Sequence, residues 1–154
     1  MPATMGHALL LLLHLLGAIV WVGGMFFAHF ALRPAAAEVL PPPQRIALMV
    51  AALRRFFGFV TVAVIAVLGS GFALLARVGL LQAPVGWHVM MGCGVVMALV
   101  FVFIVARLFP RLVALAAAAS WPEAGAELQR IRSLVAFNLG LGLASVLAAV
   151  WVWR

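Results

Sequence analysis

Apolar residues run along this chain in four long blocks, and short stretches between them hold nearly all the charge. The blocks extend from about His7 to Leu32, Phe56 to Ala76, Val85 to Ala106 and Ser133 to Trp153. Each reaches the roughly 20 helical residues needed to cross about 30 Å of hydrocarbon. The pattern predicts an all-α, integral membrane four-helix bundle. It forms one transmembrane domain over residues 1–154, with the lipid bilayer as its surroundings. The first block has no basic residue ahead of it and is too long for the apolar part of a signal peptide. It is expected to be retained.

The connections read differently. Arg33-Pro34 follows the first span, and Pro41-Pro42-Pro43 delays the second helix. Residues 44–55 are apolar with arginines at the ends, which predicts a helical lead-in near the membrane surface, running into the second span. Gly79 to Pro84 reads as a short turn. The longest connection, Pro110 to Arg132, predicts one or two surface helices over about 112–132. No repeat of fixed period is present.

Composition strengthens the membrane reading: 68% of the 154 residues are hydrophobic and 8% are charged, against about 25% charged in an ordinary soluble domain. A soluble core could not hide so much apolar surface. Ten arginines against three glutamates give a net charge of +7. The arginines are spread along helix ends, which argues against a nucleic-acid partner and for membrane topology. Arg33, Arg45, Arg54 and Arg55 lie in the first connection and Arg107, Arg111, Arg130 and Arg132 in the third, whereas the second holds only Arg77. The positive-inside rule places connections one and three in the cytoplasm and both termini on the outer, periplasmic side. Trp87, Trp151 and Trp153 then fall at the outer interface, where indoles prefer to sit.

Polar side chains inside a membrane are costly, and each is a candidate site. His7, His14 and His29 share the first helix. At ~100° per residue, His7 and His14 are about 20° apart around the axis, and His29 is about 60° from His14. His14 lies about 10 Å along the axis from His7, deep among leucines. His88 begins the third span, in the same outer half of the bundle as His7 and His14. Interfacial wetting accounts for His7 and His29. For His14 the bland reading is a neutral imidazole bonded to a neighbouring helix, and the functional one is a ligand or proton carrier. Met90, Met91 and Cys93 follow His88. Imidazole, thioether and thiol suit Cu(I), and histidine or His/Met pairs suit haem iron. Met is equally a gap-filler in apolar bundles. Cys93 is the only cysteine, so no intrachain disulfide forms.

Gly17, Trp21 and Gly24 continue the histidine stripe, with Gly69, Gly71, Gly92 and Gly94 in the next two spans. Small residues allow close helix packing, or leave room for a flat macrocycle beside a histidine. Asn138 is expected to hydrogen-bond between helices. Arg54 and Arg55 anchor the second helix at the inner surface, where they could also hold a propionate or a lipid phosphate.

The run His14 to Gly24, with Trp21 and Gly23-Gly24, followed by Leu32-Arg33-Pro34, resembles the first helix of the copper-resistance protein D family. Arg54-Arg55-Phe56-Phe57, Gly69-Ser-Gly71, Trp87-His88-Val89-Met90-Met91 and Arg130 through Asn138 continue the resemblance over nearly the whole chain. It implies an inner-membrane protein of copper uptake or tolerance. The larger family members have extra helices that this chain lacks, which points to a homodimer. The short membrane protoporphyrinogen oxidases are similar in His14 with Trp21 and in Trp87-His88-Val89. That likeness implies b haem on the first-helix histidine, but the lysine usual in that group is Met90 here.

Three readings follow. One is copper handling, with His14, His88, Met90, Met91 and His7 as metal ligands and a copper-delivery partner. Another is a b-haem redox protein, with His14 as axial ligand, His88, Gly17, Trp21, Arg54 and Arg55 as further cofactor-binding residues, and a redox partner. The third is a structural or assembly subunit without a centre. Copper is placed first because the nearer resemblance favours it, and whether the chain is an enzyme stays open. All three glutamates lie in connections, so hydrolytic chemistry has no carboxylate inside the membrane. His14 is expected to be a ligand and His29 not.

Overall fold

The computed structural model describes residues 2–151, with side chains described for residues 5–149. Four helical rods, Met5–Val39, Pro42–Val78, Val85–Ala117 and Trp121–Ala149, are each long and apolar enough to cross a membrane. The first rod runs through α1 (Pro2–Ala18), a π-helical turn at Ile19–Gly23, α2 (Gly24–Phe27), a second π turn at Ala28–Leu32, and α3 (Arg33–Val39). The second is a single helix, α4 (Pro42–Val78). The third comprises α5 (Val85–Phe103), a π turn at Ile104–Leu108 and α6 (Phe109–Ala117). The fourth is α7 (Trp121–Trp151).

Proline explains two of the three π turns. Pro34 and Pro110 open α3 and α6, each directly behind a π turn. A proline offers no N–H and crowds the carbonyl four residues back. The wider turn absorbs that conflict while the rod continues. At the opposite end, Gly79 closes α4 with φ 91°, a conformation that few other residues adopt cheaply. Its amide donates to Leu75 O at 2.9 Å.

Successive rods are antiparallel. The dominant packing joins α1 to α4 and α5 to α7, with α6 also on α7, and the two pairs meet mainly through α4 and α7. The described part of the core is concentrated at the end where the connections 40–41 and 118–120 lie. Trp21 packs edge-on to Phe101 at 6.5 Å, and Phe57 packs edge-on to both Phe101 and Phe109. Ile104, Leu112, Ala124 and Ile131 close this layer. Away from it, α1 touches chiefly α4 and exposes Leu9, Leu11, Leu12, Leu13, Leu15 and Leu16. Such a face belongs against lipid tails.

The connections contain less loop than their sequence suggests. The lead-in at 44–55 is the first part of α4, a 37-residue helix about 55 Å long. Ile46, Met49, Leu53, Phe57, Val60 and Val64 form one buried stripe along it. A break at the arginines would interrupt that stripe. Apart from the turn at 118–120, residues 112–132 likewise belong to α6 and to the first turns of α7, with Leu112, Ala124 and Ile131 buried. Asn138 makes the expected bond between helices: its Nδ2 donates to Met97 O at 3.0 Å. Trp153 lies outside the described residues, as does the side chain of Trp151.

Candidate metal-ligand site on the first rod

His14 is held entirely by α4. Its Nδ1 lies 3.0 Å from Val67 O and 3.1 Å from Ser70 Oγ. The Ser70 hydroxyl donates to Ala66 O, so towards His14 it can only accept. A backbone carbonyl also only accepts. Both neighbours therefore require the proton on Nδ1. In a neutral ring this leaves the lone pair on Nε2, and among the described residues no hydrogen bond reaches that atom. An imidazole whose Nδ1–H is fixed by a carbonyl and whose Nε2 is free is the usual arrangement of a metal-bound histidine.

Glycine makes this approach possible. A Cβ on Gly71 would stand 3.2 Å from His14 Cε1. One on Gly17, a turn further along α1, would stand 2.7 Å from Val67 Cγ2 and 3.0 Å from Ala63 O. One on Gly24 would fall on the ring of Phe56. At Gly17 the bare backbone lets α1 lie directly on α4, at Gly71 it admits the His14 ring, and Gly24 borders the ring of Phe56. Gly69 and Gly92 border open space. Trp21, on the same stripe, is only 2% exposed and belongs to the core.

The other candidates have separate surroundings. His7 is exposed near the start of the first rod. His88 is exposed, with Nε2 3.0 Å from Leu80 O and Nδ1 3.3 Å from Pro84 O, so both nitrogens face the turn that precedes it. Met90, Met91 and Cys93 are half-buried on α5. Arg54 and Arg55 are exposed on α4. Among the described residues, no group of three or more His, Cys, Asp or Glu side chains is placed to hold a metal. His14 is thus a single preset nitrogen, short of a complete ligand set.

Glu127 was not foreseen. Its sequence position reads as a wet connection, yet its side chain is only 3% exposed. One oxygen, Oε2, takes Arg130 at 3.2 Å and Arg111 at 3.9 Å. The other, Oε1, is buried without a hydrogen-bond partner. The i, i+3 spacing of Glu127 and Arg130 was the available signal.

A match to the family described as Copper resistance protein D covers residues 50–152. The chain belongs to the copper resistance protein D family. No curated protein and no solved structure matches it. The family match takes in α4 from Val50 and the whole third rod, and continues through α7. The Arg54-Arg55, Gly69-Ser-Gly71 and Trp87-His88 segments lie within it, and the His14–Gly24 segment precedes it. Val67 and Ser70, which hold His14, are inside the matched part. With its four apolar rods, this copper resistance protein D family member is a multi-pass membrane protein.

Proposed function

We propose that this chain handles copper in the inner membrane, in uptake or homeostasis, and that His14 is its central ligand through Nε2. One observation carries the reading: the fixed Nδ1–H of His14 on Val67 O, which leaves a nitrogen lone pair in an apolar layer. Imidazole with a soft second donor suits Cu(I). His7, His88, Met90 and Met91 are the further donors of the same half of the bundle, and a second copy or a delivery partner supplies what one chain lacks. The arginine-rich end faces the cytoplasm, as the positive-inside rule implies, so His14 lies in the periplasmic half.

The same free Nε2 would also serve a b haem, and one experiment separates the two. The purified protein is examined by absorption, oxidised and dithionite-reduced, with metal analysis on the same sample. Stoichiometric copper without a Soret band is the expected result. A Soret band with sharp reduced α and β bands would replace copper by haem. His14→Ala should abolish retention of the centre and His29→Ala should not. Equal loss from both, or loss from neither, removes His14 from the site.

A further inference from the structure

At the connection end, the first, second and fourth rods enclose a half-open cleft lined by Ala28, His29, Arg33, Met49, Ile131 and Arg132, among others. Arg33 Nη2 donates to Gln129 Oε1 at 2.9 Å, and Arg132 Nη1 donates to the same oxygen at 3.5 Å. One neutral amide oxygen therefore serves two guanidinium groups. Arg33 Nη1 is buried with no hydrogen-bond partner, and Arg45 and Arg132 are close enough to repel the Arg33 charge. Both ion pairs among the described residues use Glu127, with Arg111 and Arg130. No carboxylate there balances Arg33, Arg45 or Arg132. A buried orphan donor is costly, and clustered guanidinium groups are the usual receptor for a phosphate.

Beside the cleft lies an apolar groove of about 270 Å³ between the first and second rods. Gly24, Phe27, Leu32 and Phe59 help to line it, and Arg55 joins them. The groove and the cleft share Ala28, Met49 and Leu53 as common wall. Arginines without a counter-charge and an apolar groove are thus adjacent, at the same end of the bundle.

We infer that this end binds an anionic phospholipid, its phosphate between Arg33 and Arg132 and an acyl chain in the groove. A zwitterionic lipid carries its own cation into the arginine cluster and is disfavoured. Free phosphate satisfies the guanidinium groups and leaves the groove unused.

The test is native mass spectrometry of the full chain in detergent, titrated with phosphatidylglycerol, phosphatidylcholine or inorganic phosphate. Phosphatidylglycerol should be retained preferentially. The double substitution Arg33→Gln with Arg132→Gln should weaken its retention about tenfold or more, the effect of losing at least one charge-assisted hydrogen bond. Arg107→Gln, an exposed arginine at the same end, should change it less than about twofold, since an exposed charge contributes little. Ala52 also lines the groove; Ala52→Phe fills it without altering charge, and should also weaken phosphatidylglycerol. Circular dichroism and gel filtration on each variant establish that it is folded. Three results would overturn the proposal: a loss with Arg107→Gln as large, per charge, as with the double substitution; equal retention of phosphatidylcholine; or complete displacement of the lipid by inorganic phosphate.

Discussion

Gly17→Ala tests the close contact that positions His14. The added Cβ would meet Val67 Cγ2 at 2.7 Å and Ala63 O at 3.0 Å, where carbon–carbon contacts are normally about 3.5–4.0 Å. Val67 is β-branched and stiff in a helix, and Ala63 O is backbone, so neither can turn aside cheaply. The rods must separate by on the order of 1 Å, at an overpacking cost of about 1–3 kcal/mol. That movement also stretches the 3.0 Å bond from His14 to Val67 O, and a hydrogen bond between membrane helices contributes about 0.6 kcal/mol, at most about 1.7. The better helix propensity of alanine returns about 1 kcal/mol. The net expectation is a loss of about 1–3 kcal/mol, from these terms together. Gly23→Ala is the control, because no atom lies within 4 Å of its added Cβ. Unfolding in mixed micelles by sodium dodecyl sulfate, followed by tryptophan fluorescence, measures both variants. If Gly17→Ala unfolds no earlier than Gly23→Ala, the close packing of α1 on α4 is not what positions His14.

Three further outcomes can be checked by the same unfolding assay or by hydrogen exchange. Glu127→Gln should cost no more than about 1 kcal/mol, because the arginines it releases are exposed, whereas Arg111→Gln with Arg130→Gln should cost about 2 kcal/mol or more by stranding a buried carboxylate. The reverse order would refute that account. Asn138→Leu should stay within about 1 kcal/mol of the parent, since it removes an unpartnered buried Oδ1 along with the bond to Met97 O; Asn138→Asp, which can bury a charge, should be clearly worse. His88→Ala should speed amide exchange in the turn at Leu80–Ala83 and leave global unfolding unchanged, because His88 is exposed and bonds only to that turn.

The four spans were legible because lipid selects for apolar length, and that property is local in sequence. The connection end was harder to read. Prolines and arginines there look like interface, but the stripe Ile46, Met49, Leu53, Phe57 is buried only once α6 and α7 are packed beside it. Glu127 is the same case: a glutamate four residues beyond Glu123 looks solvated until Arg111 arrives from another rod. His14 stood out as a polar residue among leucines, yet nothing in the sequence fixes which turn of α4 it meets. The pairing with Val67 and Ser70 depends on the axial offset of two rods. The glycines left two readings open, close packing or room for a macrocycle, and at Gly17 the structure shows close packing of α1 on α4.

The pairing of neighbours bears on how the chain enters the bilayer. Each of the two large contacts, α1 on α4 and α5 on α7, joins rods adjacent in sequence across a connection of only a few residues. Each half of the chain can therefore cross the bilayer as a hairpin with its partner already beside it. A lone first helix exposes the Nδ1–H of His14 to hydrocarbon, and the arrival of α4 relieves that cost by supplying Val67 O. The imidazole thus rewards one depth of insertion over its neighbours.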